Sequence, residues 1–173
     1  MIETNWMFLV LAIALVIAVI TDLRTHRIPN WLTFSVLTVA LAGQVAEAQW
    51  QGLFAGLGGA LVGLLCFLPL HIFGAMGAGD VKLMTAVGAL LGPQAALIGV
   101  LATIVCGGGI ALVFIGSRGG LGALWRRYSR MAVMMASRQP VYLAPATGEA
   151  AAERFPYALA IACGSFFSIW YLA

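Results

Sequence analysis

Charge is what this chain of 173 residues has least of. Asp, Glu, Lys and Arg together make up 9% of it, against about a quarter in an ordinary soluble domain, while 62% is hydrophobic and the mean hydropathy is +1.02. So little polar surface cannot cover so much apolar surface in water, which leaves lipid as the solvent. The nine basic residues are too few and too segregated to form a nucleic-acid-binding face, despite a net charge of +3. Three cysteines, Cys66, Cys106 and Cys163, lie inside apolar runs without CxxC spacing; they read as buried small hydrophobes, and neither a disulfide framework nor a zinc site follows from them. The two histidines, His26 and His71, are far apart and have no ligand spacing, so no metal is expected. The first residues carry Glu3 and no Lys or Arg, and no A-x-A site precedes Thr21, so residues 6–20 read as a retained membrane helix rather than a cleaved signal.

What is present is a set of six apolar segments, about 6–20, 31–47, 53–73, 81–92, 95–116 and 156–172. They predict an all-α, polytopic membrane bundle. The fourth is short: a dozen residues at about 1.5 Å each reach only ~18 Å of a ~30 Å hydrocarbon core. Fusing it with the fifth into one helix kinked at Gly92-Pro93 would put the arginine-rich stretch after residue 116 on the opposite side from Arg24 and Arg27. Six spans with both termini outside put Arg24, Arg27, Lys82, Arg118, Arg126, Arg127, Arg130, Arg138 and Arg154 all inside, as the positive-inside tendency requires. Trp6, Trp31, Trp50 and Trp170 then fall at helix ends, where indoles favour the interface. Gly52, Gly56, Gly59 and Gly63 form small-xxx-small pairs that predict close helix packing.

The whole of 1–173 reads as one membrane-embedded domain with a single extended polar region, 117–155. Within it Leu121, Leu124, Trp125, Tyr128, Met131, Ala132 and Met135 recur at helical spacing, opposite Arg126, Arg127 and Arg130. The pattern predicts an amphipathic helix on the inner membrane surface, or alternatively a helix packed on the protein's own inner face. Pro140 and Pro145 end it, and 139–154 reads as a linker.

Only two aspartates occur, Asp22 and Asp80, and this topology puts both at the inner membrane boundary. Ionisable groups at membrane depth are expensive and usually have a function or a partner. Asp22 could be a helix-terminal carboxylate paired with Arg24 or Arg27, followed at Ile28-Pro29-Asn30 by a turn in which Asn30 caps the next helix. Asp80, in Gly77-Ala78-Gly79-Asp80-Val81-Lys82, could be a helix cap, its glycines permitting unusual backbone conformations and close approach of another backbone. Together on one membrane face the two carboxylates suggest a pair sharing a proton, one acting as general base on water while the other polarises a scissile carbonyl. Such chemistry needs no cofactor and no nucleophilic Ser or Cys; Ser129 and Ser137 lie in the amphipathic stretch.

The string Asp22-x5-Ile28-Pro29-Asn30, followed by Gly77-x-Gly79-Asp80-x-Lys82, resembles the signature of the type IV prepilin peptidases, the membrane aspartic proteases with a GxGD motif. Phe155-Pro156-Tyr157-Ala158-Leu159-Ala160-Ile161-Ala162 is similar to the family's C-terminal segment. The resemblance implies that Asp22 and Asp80 are the catalytic pair and that Gly77, Gly79, Lys82, Ile28, Pro29 and Asn30 shape the site. It further implies an inner-membrane, multi-pass enzyme that cuts the short basic leader from prepilins at the cytoplasmic face, with other pilus assembly proteins as possible partners. Larger bifunctional members add a cytoplasmic region with paired CxxC motifs and methylate the new N-terminus. This chain opens on its first span and has no CxxC, so it resembles the short peptidase-only members that serve Flp/Tad-type pilus systems. Two rival readings are a non-catalytic scaffold for pilus assembly and a proton-coupled transporter, which would place its acids near the bilayer midplane in broken, repeated helices.

Overall fold

The computed structural model describes residues 5–73, 76–137 and 157–172, which are helical apart from short turns; no strand occurs among them. The elements are α1 (Asn5–Thr25), α2 (Asn30–Ile72), α3 (Ala78–Ser117), α4 (Leu121–Ala136) and α5 (Tyr157–Leu172). Three stretches are long and apolar enough to cross a membrane, Trp6–Thr25, Asn30–Ile72 and Ala78–Ser117, and α5 is a shorter apolar helix. Large apolar side chains such as Leu9, Ile13, Phe54, Leu61, Leu101 and Val105 point outward, as a lipid-facing surface requires. The expected linker at 139–154 lies outside the described residues. The chain divides into two compact units, 1–107 with 156–173, and 108–155.

In the first unit, α2 and α3 each contain a break. In α2 it falls at Ala48 (φ −131°, ψ 20°) and Gln49 (φ 49°, ψ −126°); in α3 it falls at Gly92 (φ 76°, ψ 173°), just before Pro93. Residues 15 apart on a straight helix are separated by roughly 22 Å. Yet a Cβ added to Gly56 would lie 3.0 Å from the Leu41 side chain, and one added to Gly99 would lie 3.7 Å from the Met84 methyl. The chain therefore doubles back at both breaks, each lying between two of the apolar segments read from the sequence. Gly92 supplies the left-handed φ that Pro93 cannot continue from a regular helix, and Gln49 adopts one without that advantage.

The predicted glycine packing is present and explains why these positions are bare. A Cβ on Gly59 would strike the Gly88 carbonyl, a Cβ on Gly88 would strike the Gly59 carbonyl, and one on Gly63 would strike the Met84 carbonyl. Here α2 and α3 meet backbone to backbone. Gly52 faces the Gln44 carbonyl, and the Gln44 amide reaches across to the carbonyls of Ala89 (3.4 Å) and Leu90 (3.2 Å). On the other side of α3, Gly164 of α5 faces Thr103 and the Gly99 carbonyl, and the Ser168 hydroxyl donates to the Ala95 carbonyl. α1 packs on α2 and α5 through Leu11, Ala14, Leu15 and Ala18, all of them buried. At its start the Trp6 indole covers Gly43 and donates to Glu47 (3.0 Å). Trp31, Trp50 and Trp170 stand exposed at a helix start, just past the α2 break and at the end of α5.

The cysteines correct the sequence reading. Cys66 is only partly buried and Cys106 and Cys163 are exposed, because in lipid an apolar side chain has no reason to face inward.

In the second unit, α3 ends in a Schellman turn: the Gly120 N–H donates to the Ile115 carbonyl (2.9 Å) and the Gly119 N–H to the Gly116 carbonyl (3.0 Å), with Gly119 at φ 68°. The helix α4 starts at once, over the residues the sequence marked as amphipathic.

Candidate functional site

Asp22 lies in the last turn of α1, which closes with the His26 N–H donating to the Asp22 carbonyl (2.8 Å) and His26 itself in the left-handed region (φ 49°). Its side chain is buried, 6% exposed, while Arg24 and Arg27 are exposed. A carboxylate oxygen of Asp22 accepts the Ala158 N–H in the first turn of α5 (3.1 Å). The N-terminal amides of a helix have no intrahelical acceptor and carry partial positive charge, so Asp22 caps α5 from 136 residues away. The helix-terminal surface carboxylate considered from the sequence is not what the fold builds.

Asp80 is the third residue of α3 and is equally enclosed, at 8% exposed. Its carboxylate accepts the Gly77 N–H (3.0 Å), and the Asp80 N–H donates to the Gly77 carbonyl (3.2 Å). An acidic side chain at the third helical position reaching back to the N-cap amide is one half of a capping box. Asp80 thus accepts a backbone N–H as a cap would, but from inside the first turn of α3 rather than from the cap position. Gly77 and Gly79 do not adopt left-handed conformations; their role is clearance. A Cβ on Gly79 would sit 3.2 Å from the Ile28 Cβ, and one on Gly77 3.2 Å from an Asp80 oxygen.

The two sequence motifs meet here. Ile28 is buried against Gly79, and Asp22 lies near enough to Asp80 for their charges to interact. Asn30 does not cap α2: Pro29 occupies the cap position in an extended conformation (φ −65°, ψ 136°) without a side-chain cap bond. The Asn30 carboxamide oxygen instead accepts the Lys82 ammonium (2.9 Å), tying the start of α2 to the first turns of α3. The hydrogen-bond partner of the Lys82 ammonium is thus a neutral carboxamide.

One residue was missed. His71 lies at the end of α2, on the side of the connection to α3 opposite Asp80, and its Nδ1 is 3.1 Å from the Met76 carbonyl in the connection leading to Gly77. Reading it only as a metal ligand hid this; its place at the end of the apolar run preceding the GxGD string was the available signal. Among the described residues no cluster of His, Cys, Asp or Glu could hold a metal ion.

The arrangement is a helical site with two buried carboxylates, each held by a backbone amide through one oxygen, at the meeting point of three helix ends. The sequence profile of the type IV leader peptidase family matches residues 9–112, more than half of the chain and a stretch containing both aspartates. The chain belongs to that peptidase family. No curated protein sequence and no solved structure matches it.

Proposed function

We propose that the chain is an aspartic endopeptidase of the bacterial inner membrane that removes the short basic leader of prepilins, Flp-type pilins and pseudopilins among them, with Asp22 and Asp80 as its catalytic pair. The observation that carries this is the convergence of the two motif strings and the α5 start on two buried carboxylates. Hydrogen bonds donated by the Gly77 and Ala158 N–H groups hold one oxygen of each carboxyl, leaving the other for water and substrate. One carboxylate takes a proton from the attacking water while the other, protonated, donates to the scissile carbonyl oxygen. The pair acts as a unit, so the roles are not divided between them.

In this reading each half of α2 and of α3 crosses the bilayer, as do α1 and α5, giving six spans with both termini outside. The site then lies at the cytoplasmic boundary, level with the junction between a prepilin's basic leader and its apolar helix. A small residue before the cut would let an extended substrate backbone enter between the two carboxylates. Methyl transfer is no part of the proposal.

The test is co-expression with a Flp-type prepilin, with cleavage read by gel shift and mass. Asp22→Asn and Asp80→Asn keep an acceptor oxygen for the Ala158 and Gly77 amides, so the helix caps survive while the acid chemistry is lost. We expect loss of the leader with the native chain and at least a thousandfold slower cleavage with either variant at equal membrane abundance. Undiminished cleavage by either variant excludes the paired-carboxylate mechanism.

A further inference from the structure

The peptidase reading leaves α4 without a task. Its first two turns and more expose Leu121, Trp125 and Tyr128 at i, i+4 and i+7, and Trp125 is 76% exposed. Arg126 and Arg130, one turn apart and also exposed, lie across the helix from this apolar stripe. Between them in sequence, Arg127 has its Nε and one terminal nitrogen enclosed with no hydrogen-bond acceptor among the described residues, and its guanidinium carbon lies 5.0 Å from the Tyr128 ring centroid. Enclosed N–H groups of a cation without an acceptor are costly. A phosphate oxygen is the acceptor that a guanidinium matches best, through its paired donors.

We propose that the arginines of α4 bind the phosphates of anionic phospholipid headgroups, with Leu121, Trp125 and Tyr128 embedded beside them in the acyl boundary. Three features favour a lipid over other phosphates. Free phosphate would satisfy the arginines and leave the apolar stripe in water. Only residues 118–120 separate α4 from the end of α3, a helix apolar enough to cross a membrane, and the Schellman turn there keeps the connection tight. Such a link reaches only about 10 Å, so α4 cannot leave the level at which α3 ends. Finally, an amphipathic helix with arginines on one side and Trp and Leu on the other has the composition of an interfacial binder. The proposal does not depend on the peptidase reading.

The test is native mass spectrometry of the full chain in detergent, titrated with phosphatidylglycerol, phosphatidylcholine or inorganic phosphate. Phosphatidylglycerol adducts are expected on the native chain at concentrations where phosphatidylcholine gives none. They should weaken about fivefold for each arginine removed in Arg126→Gln, Arg127→Gln and the triple variant with Arg130→Gln. Equal adducts on the native chain and the triple variant overturn the proposal, as does equal retention of phosphatidylcholine. Adducts with inorganic phosphate of the same strength would make this a phosphate site and overturn the assignment to lipid. Because the triple variant could fail to insert, a second measurement uses the native chain in nanodiscs of brominated phosphatidylglycerol. The fluorescence it loses beyond that lost by Trp125→Phe is Trp125 emission quenched from within the lipid. No difference between the two would place Trp125 outside the membrane and overturn the proposal independently of the variants.

Discussion

Asp22 and Asp80 enter the site on helices held by opposite means. α1, which carries Asp22, is anchored by ordinary side chains: Leu11, Ala14, Leu15 and Ala18 fill its buried face. The first half of α3, which carries Asp80, leans on α2 where Gly59 and Gly88 face each other's carbonyls and Gly63 faces that of Met84. Side chains in a core can rotate and repack around a change of shape, whereas touching backbones have nowhere to go. The Asp80 helix is therefore set against α2 with no adjustable element between them. The Asp22 helix is set by adjustable packing and then fixed at its end by the bond to α5.

The largest effect should come from forcing the rigid contact. Gly59→Val places two methyl groups into the Gly88 carbonyl and is expected to cost on the order of 3 kcal/mol or more, with loss of folded protein in detergent melting. Leu15→Met, on α1, changes shape at similar volume and should cost less than about 1.5 kcal/mol by the same measurement. If the two variants melt alike, the distinction between backbone and side-chain anchoring is wrong. A smaller effect is expected where the helix starts are tied together. Lys82→Met and Asn30→Ala should each reduce kcat/KM for prepilin cleavage by about five- to tenfold without a comparable loss of thermal stability. The double variant should be no worse than the worse single one, since one bond is removed in each case. Additive losses would show that the two residues act separately. Smallest of all, Trp6→Phe removes the bond to Glu47 at the end of α1 remote from Asp22. It should cost less than about 1 kcal/mol and leave cleavage unchanged.

Much of this organisation could be read in the sequence because its causes are local or compositional. Gly52, Gly56, Gly59 and Gly63 announce close packing, and the structure presses backbone atoms onto Gly52, Gly59 and Gly63 and the Leu41 side chain onto Gly56. The strings around Asp22 and Asp80 contain the only two aspartates of the chain. Partners were harder to read than positions. The Ala158 amide could have come from any residue type, so nothing in its side chain signals that it serves Asp22. Asn30 has the chemistry of a helix cap and sits where a cap belongs, but Pro29 took the position and released its carboxamide to Lys82. The reversal at Ala48–Gln49 carries no glycine or proline to mark it. The cysteines were misplaced because a rule for proteins in water equates apolar with interior, and lipid cancels that equation.

The bond between Asp22 and the Ala158 amide also has a meaning in time. Residue 22 leaves the ribosome long before residue 158, 136 residues later, and at about 5–20 residues per second the interval is roughly 7–27 s. By its end the helices bearing both acids can already be inserted, but throughout it Asp22 lacks the amide that holds it. In a nascent chain this carboxylate therefore waits for α5, and the hydrogen bond that fixes it forms only after the helices that precede α5 in sequence.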